Sequence, residues 1–244
     1  MPTAPIVLFT DFGPAGPYLG QVESVLRQRA PNHPIIHLVS NAPAGNPRAS
    51  AYLLAALARQ LPRQTIFLCV VDPGVGGPRK PVVLYAGDQT FVGPDNGLLN
   101  TVAVQAEQCE WFEIVWRPEN CSMSFHGRDW FAPVAARLAI GQGIDVLQPY
   151  TPESLADWPS DLAELIYFDV YGNAFTGLRY RTELDGKILT IGGRKLTQAT
   201  TFSDVAEGEA FWYCNSCGLV EIAVNLGNAE RQMNLKIGMP VAYE

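Results

Sequence analysis

The sequence predicts an α/β protein: a mainly parallel N-terminal sheet flanked by helices, plus a small C-terminal antiparallel β-barrel. Three observations predict it. Apolar strand-like runs alternate with helical patterns from residue 1 to about 150, as a sheet covered on both faces requires. The pattern changes at Pro149, where Pro149, Pro152 and Pro159 punctuate a polar stretch. Beyond it, short β-type runs are separated by Gly-rich turns, the spacing of a small barrel or sandwich. The expected domains are residues 1–150 (α/β), 151–161 (linker) and 162–244 (β-barrel).

The elements follow from local pattern. Ile6–Phe9 is a short apolar strand. Residues 17–29 form a helix with Tyr18, Val22, Val25 and Leu26 on one face and Pro31 as its stop. Ile35–Val39 is a second strand, Arg48–Arg59 an Ala/Leu-rich helix and Ile66–Val71 a third, continuously apolar strand. Val82–Tyr85 and Thr90–Val92 flank Gly87-Asp88, a hairpin turn. Trp111–Val115 is another strand, and Asp129–Ile140 a helix opened by an acidic residue. In the C-terminal part the strands are Leu165–Val170, Phe175–Arg181, Lys187–Ile191, Ala210–Tyr213, Leu219–Val224 and Pro240–Tyr243, with turns at Gly172-Asn173, Asp185-Gly186 and Gly192-Gly193.

Composition narrows the function classes. The chain has 244 residues, 48% of them hydrophobic and 17% charged, ordinary values for a globular protein with a real core. The formal charge of −7 argues against nucleic acid or an anionic membrane as partner. Apolar stretches are shorter than ten residues, too short to span a bilayer, and the N-terminus lacks the basic region and apolar core of a secretion signal. The expected location is the cytoplasm. The five cysteines are scattered and odd in number, unlike a disulfide framework. Cys214 and Cys217 lack a second ligand pair, so no metal site is expected there.

The most informative stretch is Asp72-Pro-Gly-Val-Gly-Gly-Pro-Arg79. A carboxylate ends a core strand, a loop with almost no side chains follows, and a guanidinium closes it. Glycines admit close backbone approach to a ligand, and strand ends are where α/β sheets bind ligands. Its glycines match neither a phosphate loop nor a dinucleotide fingerprint. Asp11, in Thr10-Asp-Phe-Gly13, either bonds a ribose diol or serves a turn or helix cap. His126, in Phe125-His-Gly-Arg-Asp129, either passes a proton or is structural. Arg128 and Asp129 read as a local ion pair or caps, His33 and His37 as structural, and Asp95-Asn-Gly97 as a tight turn. Asp169 and Asn173 suit either a turn or an amine and a base edge. Asn215-Ser-Cys-Gly218 is a second polar interruption between strands with the same two readings.

Taken together, Thr10–Gly13, Val71–Gly77 with Arg79, Gly93–Leu98, Phe125–Asp129, Gly172-Asn173 and Asn215–Ala223 resemble the S-adenosylmethionine hydroxide adenosyltransferases, hydrolytic relatives of fluorinase and chlorinase. The resemblance spans nearly the whole chain. It implies an α/β domain joined to a small β-barrel, and a homotrimer with active sites between the N-terminal domain of one subunit and the C-terminal domain of the next. It also implies attack of water or hydroxide on C5′ of S-adenosyl-L-methionine, releasing adenosine and methionine, with no cofactor and no metal. Asp72 would orient the water, Arg79 would hold and polarise it, and His126 would relay its proton. Asp11 would bind the ribose, Asn173 the adenine edge, and Asp169 and Ser216 the methionine ammonium and carboxylate. Cys217 stands where the family more usually has serine. If that contact runs through the backbone, little changes; if through a hydroxyl, methionine binding weakens. A halogenase is the near alternative, but only 46 residues separate Arg79 from His126, with no obvious inserted loop. A non-catalytic S-adenosylmethionine or adenosine sensor would be expected to lack one of the three polar residues, and all are present. A purely structural α/β protein leaves the glycine loop unexplained.

Overall fold

The computed structural model describes residues 3–152 and 158–244. It contains two seven-stranded sheets and divides into two compact units, residues 1–55 with 61–158 and residues 56–60 with 159–244. The expected linker lies partly outside the described residues, at positions 153–157.

The first unit runs β1 (Ile6–Thr10), α1 (Tyr18–Arg29), β2 (Ile35–Val39), α2 (Pro47–Ala58, whose residues 56–58 count with the second unit), β3 (Ile66–Val70), β4 (Pro81–Ala86), β5 (Gln89–Pro94), α3 (Asn100–Gln105), β6 (Cys109–Ile114), a π-helical turn at Gly127–Phe131, α4 (Ala132–Ala139) and β7 (Leu147–Pro149). The sheet order is β2-β1-β3-β5-β4-β6-β7. The expected α/β class holds, with one refinement. Strands β2-β1-β3-β5 pair in parallel, whereas β4, β6 and β7 pair antiparallel. The reason is Gly87, whose positive φ of 55° makes a tight turn with Asp88 and sends β5 straight back along β4.

β1 and β3 are buried at every residue, because both faces of the sheet are covered. Ile6, Leu8, Ile66, Leu68 and Val70 pack with Val22 and Leu26 of α1 and Val134 to Ala136 of α4. Their neighbours Val7, Phe9, Phe67 and Cys69 point the opposite way and are equally buried. Phe67 and Phe91 stack there at 4.6 Å. Each such side chain contributes about 1.5–3 kcal/mol by leaving water, so the central strands are fixed points for the loops at their ends.

The helix expected over 129–140 begins two residues earlier, as the π-helical turn, and its α part stops at Ala139. Pro133 is the physical reason. It has no N–H for an α-helical bond to Asp129, and the widened turn, closed by Ala132 N–H to Gly127 O, removes the need for one.

The second unit comprises β8 (Leu162–Phe168), β9 (Ala174–Arg179), β10 (Leu189–Ile191), β11 (Arg194–Gln198), β12 (Ala210–Cys214), β13 (Leu219–Val224), α5 (Ala229–Gln232) and β14 (Val241–Tyr243). Its order is β14-β10-β11-β12-β13-β9-β8. The ends meet through a bridge between Glu164 and Pro240 and through Leu165 N–H to Met239 O at 2.9 Å, which nearly closes the sheet into a barrel. Trp212, Leu165, Ile191 and Ile222 fill its interior. All pairs are antiparallel except β11 with β12. Among the described residues no helix is long and apolar enough to cross a membrane.

Candidate active site

In the first unit the site begins where β3 ends. Val71 O accepts the Asn96 side-chain amide at 2.9 Å, and Asn96 Oδ1 accepts Leu98 N–H at 3.2 Å, so the 95–97 turn clamps the strand end. Two successive tight turns then fold the glycine loop back, Val75 N–H to Asp72 O at 3.2 Å and Gly77 N–H to Gly74 O at 2.9 Å. Gly76 has φ +81°, and a Cβ there would lie 2.7 Å from Met123 O. Only glycine fits that position.

The fold-back brings Arg79 against Asp72. Arg79 Nε donates to Asp72 Oδ2 at 3.0 Å and Nη2 donates to the same oxygen at 2.5 Å. Both side chains are buried, 9% and 4% exposed, so this is an ion pair in low dielectric and not a surface contact. Arg79 Nη2 also donates to His126 Nδ1 at 2.8 Å. Arg79 lies over the Phe131 ring, 5.1 Å from its centroid. His126 is buried, its ring edge-on to Trp130 at 5.3 Å. Its Nε2 is buried without a partner among the described residues. Burial and then the Arg79 charge hold its pKa below the ordinary 6.5, so the ring is neutral at pH 7.

Asp11 lies just past β1, its Oδ2 accepting Gly45 N–H at 2.9 Å. Asp11, Asp72 and His126 line one cavity of about 120 Å3, with Phe12, Pro73 and Phe125 completing its wall. The resemblance assigns Asp11, Asp72, Arg79 and His126 to one active site together with Asp169, Asn173, Ser216 and Cys217; the first four come together here, and the other four lie in the second unit. It did not single out the aromatic wall. Phe12 and Phe125 pack at 5.7 Å, with Tyr18 against both at 5.3–6.0 Å, and only the places of Phe12 and Phe125 beside Asp11 and His126 in the sequence point to the wall. Arg128 and Asp129 form the expected ion pair, and Asp129 also accepts Ser122 N–H at 2.9 Å.

In the second unit Asp169 and Asn173 share a turn. Asp169 Oδ1 accepts the N–H groups of Tyr171 and Asn173, each at 2.9 Å, and Oδ2 accepts the Asn173 side-chain amide at 3.0 Å. Both line a cavity of about 580 Å3 with Tyr171, Phe202 and Tyr213. The turn reading holds, and the turn's own bonds keep both side chains at the cavity wall. Ser216 and Cys217 lie in the β12–β13 turn, Ser216 exposed and Cys217 half-buried. Cys217 N–H donates to Asn215 Oδ1 at 2.9 Å, so its backbone N–H is already engaged. Tyr213 and Glu221 complete this region without having been given roles by the sequence. All five cysteines are free. Among the described residues no group of three or more His, Cys, Asp or Glu side chains is placed to hold a metal ion.

A buried, oriented carboxylate–guanidinium–imidazole set beside a small cavity can position a water molecule and take up the charge it develops. Known proteins resemble this chain over nearly its whole length. The family model for the SAM hydroxide adenosyltransferase N-terminal domain matches residues 6–148, and that for the C-terminal domain matches residues 163–242. A protein of Thermus thermophilus named (R)-S-adenosyl-L-methionine hydrolase is 38% identical over 97% of this chain and 98% of its own length. A fluorinase of Actinopolyspora mzabensis is 22% identical over 97% of this chain and 96% of its own. The crystal structure of an uncharacterized conserved protein from Thermotoga maritima superposes with TM-score 0.88 at 32% identity, covering 98% of this chain and 99% of that one. The chain belongs to the SAM hydroxide adenosyltransferase family.

Proposed function

We propose that this protein hydrolyses S-adenosyl-L-methionine to adenosine and L-methionine by attack of water at C5′. The observation that carries the reading is the buried Asp72–Arg79–His126 chain of hydrogen bonds beside a small cavity, in a chain 38% identical to a protein named for this hydrolysis.

The chemistry explains the residue types. The O–C5′ bond forms as the C5′–S bond breaks, and the electron pair leaves with sulfur. The sulfonium departs as a neutral thioether and needs no acid. The water oxygen becomes positive as it attacks and must lose a proton, which ends in solvent. Asp72 accepts a hydrogen bond from that water and offsets its charge. Arg79 orients the water and is itself held between Asp72 and His126. His126 Nδ1 accepts from Arg79, so the ring can relay a proton only when that bond opens. Its first task is to hold Arg79 in register. Asp72 can accept a hydrogen bond from water, whereas a halide has no proton to offer, so the site suits water as the nucleophile.

In this reading Asp11 bonds the ribose hydroxyls, Asn173 meets the adenine edge, and Asp169 and Ser216 take the methionine end, with Cys217 beside them. No cofactor or metal takes part. The working assembly is a homotrimer in which the first unit of one copy faces the second unit of the next, as the family resemblance implies. The enzyme acts in the cytoplasm, where its substrate is an intracellular metabolite. The test is incubation of the pure protein with S-adenosylmethionine, with and without chloride, followed by mass spectrometry. Equimolar adenosine and methionine, unaffected by chloride, are expected. A 5′-chloroadenosine product, or tight binding without turnover, would replace this reading with a halogenase or a sensor. Sedimentation equilibrium at three times the chain mass is the expected result for the assembly.

A further inference from the structure

Glu221 lies on β13 and is 2% exposed, a carboxylate that no step of the hydrolysis uses. Both of its oxygens are engaged. The Tyr213 hydroxyl donates to Oε1 at 2.6 Å, and the Asn215 amide donates to Oε2 at 2.8 Å. The antiparallel β12–β13 register places Tyr213 directly opposite Glu221.

Each partner then serves a separate feature. Tyr213 lines the cavity of about 580 Å3 with Asp169 and Asn173. Asn215 turns its Oδ1 to the N–H groups of Cys217 and Leu219, both at 2.9 Å, and so organises the turn that carries Ser216. The amide cannot flip. A flip would set Nδ2 against two N–H donors and Oδ1 against a carboxylate. A packing role alone does not explain an acid here, because a hydrophobic residue of similar volume serves a barrel wall as well or better. Burial pushes the Glu221 carboxyl up to about 7, opposed by the Tyr213 and Asn215 hydrogen bonds.

We propose that Glu221 is a positioning residue for the adenosyl cavity: through Tyr213 and Asn215 it locks one cavity wall and the 215–218 turn into a single arrangement, and so sets substrate affinity and not the chemical step. The adenosyl identity of the ligand rests on the hydrolase reading above.

The experiment compares Glu221→Ala, Glu221→Gln and Tyr213→Phe with wild type, in the full chain. Adenosine affinity is measured by calorimetry, and kcat and KM by turnover of S-adenosylmethionine. In Glu221→Ala the adenosine Kd and the KM are expected to rise about tenfold, with kcat within about threefold of wild type. Glu221→Gln should hold both within about threefold, since its Oε1 accepts from Asn215 while its Nε2 donates to the Tyr213 oxygen. A residue with only a structural role would lower the melting temperature and leave Kd and KM unmoved. That result, or a fall in kcat at constant KM, overturns the proposal. If Glu221→Ala does not fold, Tyr213→Phe severs one arm within an intact barrel, and an unchanged Kd there overturns it equally. Absence of turnover in wild type, with adenosine affinity still lost in Glu221→Ala, would remove the hydrolase reading and leave the positioning role standing. Normal turnover with unchanged adenosine affinity in Glu221→Ala removes the positioning role alone.

Discussion

Arg79 donates a guanidinium N–H to His126 Nδ1 at 2.8 Å, and the imidazole proton therefore rests on Nε2, a buried atom without a partner among the described residues. Arginine has no lone pair to offer, so Nδ1 must be the acceptor. Protonating the ring breaks this bond and sets two cations side by side.

A pH dependence follows. The His126 pKa lies below 6.5 in the folded protein, chiefly through burial and next through Arg79. Below pH 6.5 the unfolded chain takes up this proton before the folded one does, so stability falls as pH falls. Activity should follow the same group. The acid limb of the pH profile of kcat/KM is expected to have its midpoint below 6.5. A midpoint above that value would show that the neutral, Arg79-bound imidazole is not the working form.

Asp72→Asn keeps the shape of the side chain and removes its charge. It leaves Arg79 buried without a counter-ion, a loss of about 3–5 kcal/mol by the usual measure of broken buried pairs. The variant should unfold at lower urea than wild type, and kcat should drop about 10²–10⁴-fold, as for loss of the charge that offsets the attacking water and helps it shed its proton. Turnover within tenfold of wild type in the folded variant would remove Asp72 from the chemistry.

Gly76→Ala tests the loop independently of charge. The added Cβ meets Met123 O at 2.7 Å on a backbone with φ +81°, so the glycine loop or the Cys121–Phe125 segment must move. Strain of this kind costs about 1–3 kcal/mol. The expectation is a large fall in kcat, because Arg79 is carried at the far end of the same loop, while adenosine binding is kept. Equal kcat in the alanine variant would show that the loop does not hold the site in register.

Glu221 titrates in the opposite sense to His126. Its folded pKa is raised from 4.5 to about 7 by burial, with the Asp169 charge adding to the shift. Below pH 4.5 both states hold the proton. Between 4.5 and about 7 the unfolded chain releases it while the folded chain keeps it, so stability falls as pH rises through this window and is level above it. The whole effect is about 3 kcal/mol. Urea unfolding at pH 4.5, 6 and 8 should show this slope in wild type and lose it in Glu221→Gln. Parallel pH dependences in the two proteins would contradict the assignment.

Much of the fold is legible in the chain because burial is two-sided. Ile66–Val71 reads as a core strand from its unbroken apolar run, and Ile66–Val70 forms one. The seven-residue spacing of Asp72 and Arg79 signalled a site, and two tight turns make it a contact. Other features lie outside local pattern. Strand β11, Arg-Lys-Leu-Thr-Gln, carries one inward apolar residue, Leu196, and its place comes from pairing with β10 and β12. Helix α3 and strand β7 are likewise short and take their places from the sheet. The π-helical start after His126 depends on Pro133 six residues later in the turn sequence. Glu221, in a run that is otherwise apolar, is given no role by the sequence; the donors Tyr213 across the strand and Asn215 in the turn reveal it as a buried acceptor. Asp169 shows the limit of a choice between turn and ligand, because its oxygens hold the turn while its side chain lines the cavity.

The fate of the water oxygen tests the central claim most directly. The protein is incubated with S-adenosylmethionine in oxygen-18 water, and the products are weighed and fragmented by mass spectrometry. The account predicts one heavy oxygen at the 5′ position of adenosine, none in methionine, and labelled adenosine formed at least about a hundredfold more slowly by Asp72→Asn. Unlabelled adenosine, label in the methionine fragment, or a product split elsewhere along the sulfonium would contradict attack of a water held at Asp72 on C5′.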